Sequence, residues 1–259
     1  MKVALIGLGK MGSYHLKALL EKNITVETCD TIYNEQYSDI NTKIFDKVII
    51  ATPTDTHFEI ARHFLLTGLD TFVEKPICDS SNEAARLLRI AKRNNAQLMV
   101  GHIENFNPVI PPLIDFLKES PPALITTIRK GFAARVKEYN PIRDLMIHDI
   151  GIVIKLLGRE GIVKYVNNEK YRANVLVDYE GIHVVHKVNM LSNTTKRNIL
   201  ITREDGSILD VDLLAKKINN YAYQGDALRL QLDAFLKGHC NNILATHALE
   251  LCEAIENVE

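Results

Sequence analysis

Long apolar runs are missing from this 259-residue chain: no stretch approaches the about 18 residues needed to span a bilayer. The start, Met1 to Ile6, runs straight into a strand-like segment without a basic leader region or cleavage site, so a soluble cytoplasmic protein is expected. An excess of one charge sign is missing too. Lys and Arg number 31 against 32 Asp and Glu, a net charge of -1, which removes any global electrostatic pull toward nucleic acid or an anionic membrane. Cysteine is sparse, with only Cys29, Cys78, Cys240 and Cys252 and no C-x-x-C spacing. That argues for reduced thiols and against a disulfide framework or a zinc site. There is no internal repeat and no low-complexity segment. With 46% hydrophobic and 24% charged residues the composition is that of a globular protein, and at about 150 residues per domain one large or two modest domains are expected.

What is present is a pattern of alternating elements. The apolar run Lys2 to Ile6 ends in Gly7, and Met11 to Leu20 has helical spacing, so strand, turn and helix follow one another. Further strands are expected at Ile24 to Cys29, Lys47 to Ala51, Thr71 to Val73 and Gln97 to Val100. Helices are expected at Thr56 to Thr67, stopped by Gly68, and at Ser81 to Asn94, opened by Ser81-Asn82-Glu83. This alternation predicts an α/β fold, a doubly wound parallel sheet of Rossmann type covering about 1–120. The prolines Pro108, Pro111, Pro112, Pro121 and Pro122 interrupt the pattern and put a boundary near Glu119 to Pro122. From 121 to 259 the strand candidates are Leu124 to Lys130, Gly161 to Asn167, Ala173 to Tyr179, Ile182 to Met190, Arg197 to Thr202 and Ser207 to Val211, with one strong helix at Asp144 to Leu157. They read as a smaller α+β domain with an open, mainly antiparallel sheet. Helices at Asp226 to Lys237 and Thr246 to Val258 form a tail expected to fold back across both domains.

Gly7-Leu8-Gly9-Lys10-Met11-Gly12 follows a strand and opens a helix, the context a dinucleotide fingerprint requires. Gly7 permits the tight turn, Gly9 lets backbone approach a pyrophosphate, and Gly12 lets helix and strand pack closely. The helix start, with Lys10 and Met11, offers N–H groups and partial positive charge to phosphates. Asp30 stands 18 residues beyond Gly12, at the end of the next strand, where a carboxylate accepts hydrogen bonds from ribose hydroxyls. Thr31, Ile32 and Tyr33 after it could not neutralise a 2'-phosphate, so NAD is expected over NADP. Two more segments, Ala51-Thr52-Pro53-Thr54-Asp55-Thr56-His57 and Val73-Glu74-Lys75-Pro76, fall just after strands, on the sheet edge where this fold places its ligand. The residue before a proline is restricted to extended conformations, so the Lys75 ammonium can point reproducibly at one place. Asp144 and His148, four apart on a helix candidate, are either a surface pair or a coupled acid–base pair on one face.

Together the fingerprint, the A-T-P-x-x-x-H segment ending at His57, Glu74-Lys75-Pro76, Gly101-His102 and Asp144-x-x-x-His148 resemble the glucose-fructose oxidoreductase / inositol dehydrogenase superfamily (Gfo/Idh/MocA) over residues 1 to about 158. The resemblance implies a Rossmann domain, a C-terminal domain with an open sheet, and NAD(P)-dependent oxidoreduction of a sugar or cyclitol hydroxyl. It places Thr52, Pro53, His57, Glu74 and Lys75 at the cofactor, and brings Lys75, Asp144 and His148 around the substrate. On that reading His148 takes the hydroxyl proton, Lys75 donates a hydrogen bond to the developing alkoxide, and Asp144 tunes both.

The run Gly101-His102-Ile103-Glu104-Asn105-Phe106-Asn107-Pro108 resembles the G-H-x-x-R-F-N-P run of the branch acting at C3 of UDP-N-acetylhexosamines. Asn105 stands where that branch has Arg. His102, Glu104 and Asn107 are candidates for sugar contacts, Arg129 and Lys130 for an anionic substrate group. Gly151 stands where the family's H-D-x-D run has an acid, and the second domain is short for the family. The open sheet is expected to pair faces in a homodimer or homotetramer. No metal site is expected: His183 and His186, three apart on a strand, point to opposite faces, and His239 and His247 lack ligand partners at the right spacing. The competing readings are a dehydrogenase of a free sugar or cyclitol such as inositol, and an NAD-binding regulator without turnover.

Overall fold

A computed structural model describes residues 1–31, 36–132, 140–240 and 242–258. Ile32 and Tyr33 lie outside the described residues. The chain divides into two compact units, one formed by Met1–His102 with Leu228–Thr246, the other by Ile103–Ala227 with His247–Glu259.

In the first unit the apolar runs become five parallel strands, β1 (Lys2–Ile6), β2 (Thr25–Cys29), β3 (Lys47–Ile50), β4 (Asp70–Val73) and β5 (Leu98–Val100), ordered β2-β1-β3-β4-β5. Val48, Ile49, Ile50, Phe72 and Val73 are fully buried, as expected of strands covered on both faces. Helices α1 (Lys10–Glu21), α2 (Thr54–Leu66) and α3 (Ser81–Arg93) connect them. The sequence expected α3 to be capped by Ser81 to Glu83; the cap is Ser80, whose hydroxyl accepts from the Glu83 amide at 3.3 Å. Gly68, at φ +81°, ends α2 as expected. Because the chain runs from β1 to β2 on one side and returns to β3 on the other, the sheet has a switch point between β1 and β3, and a crevice opens at their C-terminal ends. Helix α6 (Ala227–Leu236) joins this unit through Lys22 and Asp233 at 2.6 Å and through Phe235 against Phe72 at 5.6 Å.

The second unit opens with a short 3-10 turn, Ile103–Phe106, and helix α4 (Ile110–Glu119). The sequence reading had no helix there. Pro111 and Pro112 occupy its first turn, where a missing N–H costs nothing, so they begin a helix rather than break one. Eight strands follow: β6 (Leu124–Phe132), β7 (Ile162–Glu169), β8 (Arg172–Tyr179), β9 (Ile182–Asn189), β10 (Leu191–Thr202), β11 (Ile208–Asp212), β12 (Lys217–Ile218) and β13 (Tyr221–Ala222). Their order is β13-β12-β11-β10-β6-β9-β8-β7. Every described pairing is antiparallel except β6 with β9. Alternate residues Ile125, Thr127 and Arg129, and likewise Val184, His186 and Val188, are buried on one face, while His183 and Lys187 are exposed. Helix α5 (Ile147–Leu157) supplies much of the core through Ile150, Ile152, Val153 and Ile154. A π-helical turn, Ile142–Met146, precedes it, and α7 (Asn242–Glu256) closes the chain.

Candidate active site

The first unit contains a cavity of about 730 Å³ at the switch point, lined among others by Gly7, Gly9, Asp30, Thr52, Pro53 and Glu59. Its walls explain the glycine spacing. Gly7 adopts φ +91°, and a Cβ there would meet the Ala51 carbonyl oxygen at 2.7 Å; a Cβ at Gly12 would fall on the Gly7 carbonyl oxygen. Gly9 differs, because a Cβ there would meet nothing within 4 Å: this is the open side, where a phosphate would approach backbone. Gly9 is also the N-cap of α1 and brings no side-chain cap, and the first turn holds Lys10 and Met11 but no acid. The helix start is therefore left for an anion. Asp30 Oδ2 accepts from the Leu8 amide at 2.6 Å, tying the carboxylate to the glycine loop. These walls have the features a dinucleotide site needs: open backbone at Gly9, an acid-free helix start and a carboxylate at Asp30.

Neighbouring strands β4 and β5 end side by side, so Glu74-Lys75 and Gly101-His102 share the same edge. Glu74 is buried, and a Cβ at Gly101 would lie 2.8 Å from its Oε2, so the smallness of Gly101 makes room for a carboxylate. His102 is buried, and burial together with the Lys75 cation lowers it to about 4. It is thus a neutral ring beside Lys75 at neutral pH. His57 is not in the cavity wall. Its Nδ1 lies 2.8 Å from the Pro76 carbonyl oxygen and its Nε2 2.9 Å from that of Thr52, so the ring braces the two loops that follow β3 and β4. Sequence reasoning missed His15, which is fully buried with Nε2 2.7 Å from Glu74 Oε1. The available signal was an imidazole on the otherwise apolar inward face of α1, beside Gly12, Ala18 and Leu19.

In the second unit Asp144 lies in the π turn and His148 in the first turn of α5. A π turn, which closes over five residues, stands where the sequence led us to expect the first α-helical turn of the pair. Asp144 Oδ2 accepts from the Asn140 amide at 2.9 Å, and both side chains are half-buried.

The residues expected to contact substrate near 104 and 129 form a buried ion network of the second unit. Arg129 Nε and Nη2 donate to Asp149, the latter at 2.8 Å, and Nη1 donates to Glu104 Oε1 at 3.2 Å. Arg197 Nη1 donates to the same Glu104 oxygen at 2.9 Å. Burial works against the Arg129 charge, but Asp149 and Glu104 outweigh it and hold the guanidinium above its usual pKa. Asn107 Nδ2 donates to the Leu213 carbonyl at 2.9 Å. Arg129 and Asn107 thus sit in the interior, fastening strands and turns, while Lys130 is exposed. Asp149, which the sequence reading passed over, is the principal partner of Arg129. Asn105 is buried, and among the described residues neither atom of its side-chain amide has a partner; its carbonyl oxygen accepts from Lys155 Nζ at 2.7 Å. Among the described residues no group of His, Cys, Asp or Glu could hold a metal ion, and no helix is long and apolar enough to cross a membrane.

Comparison with known proteins agrees with this geometry. Residues 26–102 match the model of the Gfo/Idh/MocA oxidoreductase family, NAD-binding Rossmann fold. UDP-N-acetylglucosamine 3-dehydrogenase of Acidithiobacillus ferrooxidans is 28% identical over 173 residues, which cover 62% of this chain and 55% of that protein. Inositol 2-dehydrogenase of Rhizobium meliloti is 27% identical over 191 residues, covering 62% and 56%. The chain thus spans about half the length of the curated relatives it matches. In fold, the solved structure of the Acidithiobacillus ferrooxidans dehydrogenase superposes with a TM-score of 0.86 over 98% of this chain and 96% of that one, at 22% identity. Over residues 26–102 the chain is thus similar to the NAD-binding Rossmann region of the Gfo/Idh/MocA oxidoreductase family.

Proposed function

We propose that this protein is an NAD-dependent dehydrogenase acting on a secondary hydroxyl of a sugar or sugar nucleotide, with C3 of a UDP-N-acetylhexosamine as the first candidate. The observation that carries the reading is the cradle at the β1/β3 switch point: two glycines closed against backbone, one open to a phosphate, and a carboxylate fixed at the ribose position. NAD is favoured over NADP because, among the described residues, the cavity wall carries the acids Asp30 and Glu59 and no Lys or Arg, so a 2'-phosphate would meet negative charge.

NAD, when bound, supplies the hydride acceptor. The chain's own groups handle the proton. Lys75, whose charge is felt at the buried His102, donates a hydrogen bond to the substrate oxygen as it gains negative charge. His148 takes the hydroxyl proton, and Asp144, held by the Asn140 amide, tunes that group. The resemblance in motif order is what assigns Lys75, Asp144 and His148 to one reaction; within the first unit the buried His102 feels the Lys75 charge. Since Glu104, Asn107 and Arg129 are engaged in the second unit's interior, their proposed part is to fasten the strands and turns of that unit.

Similarity to inositol 2-dehydrogenases favours a second reading, oxidation of a free cyclitol or sugar. Dependence on a UDP group separates the two: full activity on myo-inositol with none on UDP-N-acetylglucosamine would select the second. Among the described residues Cys29, Cys78, Cys240 and Cys252 form no disulfide, which suits a reducing cytoplasm. The outer sheet face, with the half-buried Leu176, Val185 and Leu200 in register across β8, β9, β6 and β10, suits pairing with a second copy of the chain, which a static light-scattering mass measurement would reveal.

A further inference from the structure

The buried pair His15 and Glu74 is not required by the cradle or by the proton chemistry. His15 lies in the second turn of α1, on the helix whose start faces the phosphates, and its side chain is fully buried. Its ring meets Phe72 edge-on at 5.2 Å and Glu74 Oε1 at 2.7 Å. Phe72 and Glu74 are two residues apart at the end of β4, so both face α1. A carboxylate only accepts, so the ring carries its hydrogen on Nε2. The other oxygen of Glu74 accepts from the backbone amide of Lys75 at 3.3 Å, and Gly101 leaves the space that the carboxylate occupies. Apolar residues of similar volume would fill such a position at no loss of stability.

We propose that His15 is a positioning residue for Lys75: through Glu74 it fastens the Glu74-Lys75 turn to α1, so that one rigid link joins the helix that seats the cofactor to the residue that meets the substrate. The inference rests on Lys75 acting in the proposed reaction, and its main readout does not need turnover.

The test is amide hydrogen exchange at Lys75, followed by NMR on the full chain for the wild type, His15→Leu, His15→Gln and Gly101→Ala, each with and without NAD. Gly101→Ala keeps the His15 and Lys75 side chains and presses on Glu74, on its carboxylate at 2.8 Å and its Cα at 3.1 Å. Exchange at Lys75 is expected to quicken about tenfold in His15→Leu and Gly101→Ala, the loss of one hydrogen bond. Exchange at Phe72 stays unchanged, and His15→Gln, which can still donate to Glu74, returns Lys75 to near the wild-type rate. NAD is expected to slow exchange at Lys75 in the wild type and to lose that effect in His15→Leu. In turnover, His15→Leu lowers kcat while KM for NAD holds. Equal Lys75 exchange in the wild type, His15→Leu and Gly101→Ala would overturn the proposal and leave a core pair only; if His15→Leu does not fold, Gly101→Ala alone decides. Altered exchange with no alcohol oxidised would remove the reaction and leave the link standing.

Discussion

Gly12 lies so close to Gly7 that a Cβ at 12 would fall on the Gly7 carbonyl oxygen, whereas a Cβ at Gly9 would meet nothing within 4 Å. Three glycines of one motif thus have separable duties. Gly12→Ala is expected to lower stability by about 3 kcal/mol, as overpacking against backbone does, and thermal unfolding checks it. Gly9→Ala is expected to keep stability within about 0.5 kcal/mol and to weaken NAD binding in calorimetry. Equal stability of the two variants would contradict the assignment.

Asp30 accepts from the Leu8 amide and lines the cavity. Replacing it with Ala removes a charged acceptor, an interaction of about 1.5–3 kcal/mol, so NAD binding should weaken about tenfold or more. Its preference over NADP should narrow at the same time. Unchanged affinities for both nucleotides would exclude a ribose contact.

Much of this fold was legible because its strongest signals are local. The runs Lys47 to Ile50 and Lys2 to Ile6 are fully covered strands, and their apolar continuity announces it. The glycine motif and Asp30 were legible for the same reason. Helix α4 was not, since Pro111 and Pro112 break a helix interior but suit a first turn, and only position tells the two apart. The Asp149–Arg129 pair bridges 20 positions, and nothing local in either residue announces the other. Arg129 therefore reads as a ligand for an anion when its anions are already built in. The π turn at Ile142–Met146 likewise leaves no period in the sequence that separates it from the start of α5.

Arg129 has both carboxylate partners in the interior. Arg129→Met should therefore cost about 3–5 kcal/mol by stranding the buried Asp149, while Glu104 keeps Arg197. Arg197→Met, at a side chain 42% exposed, should cost about 1 kcal/mol or less. Urea unfolding of both variants measures this, and a small effect at Arg129 would return it to the substrate contact expected from sequence.

His186 is buried between Thr127 and Tyr179, and burial lowers it to about 3. Below the ordinary histidine range the unfolded chain takes a proton that the folded ring refuses. Stability therefore rises with pH between about 3 and 6.5 and falls on acidification, at most about 1.4 kcal/mol per pH unit for this group. His102, lowered to about 4, adds a second contribution of the same sign. His186→Gln should flatten the dependence of the urea midpoint on pH from about 7 to about 4; an unchanged slope would show that His186 does not carry it.

The central claim is oxidation of a sugar-type hydroxyl with Lys75 at the reacting oxygen. Its most direct test is absorbance at 340 nm with NAD and, separately, UDP-N-acetylglucosamine, its uronic acid, glucose, glucose 6-phosphate and myo-inositol, for the wild type and Lys75→Met. A rise with one substrate, reduced about 10²- to 10⁴-fold in Lys75→Met while NAD binding persists, is the expected result. Turnover in Lys75→Met within about tenfold of the wild type, or a protein that does not bind NAD, would contradict it.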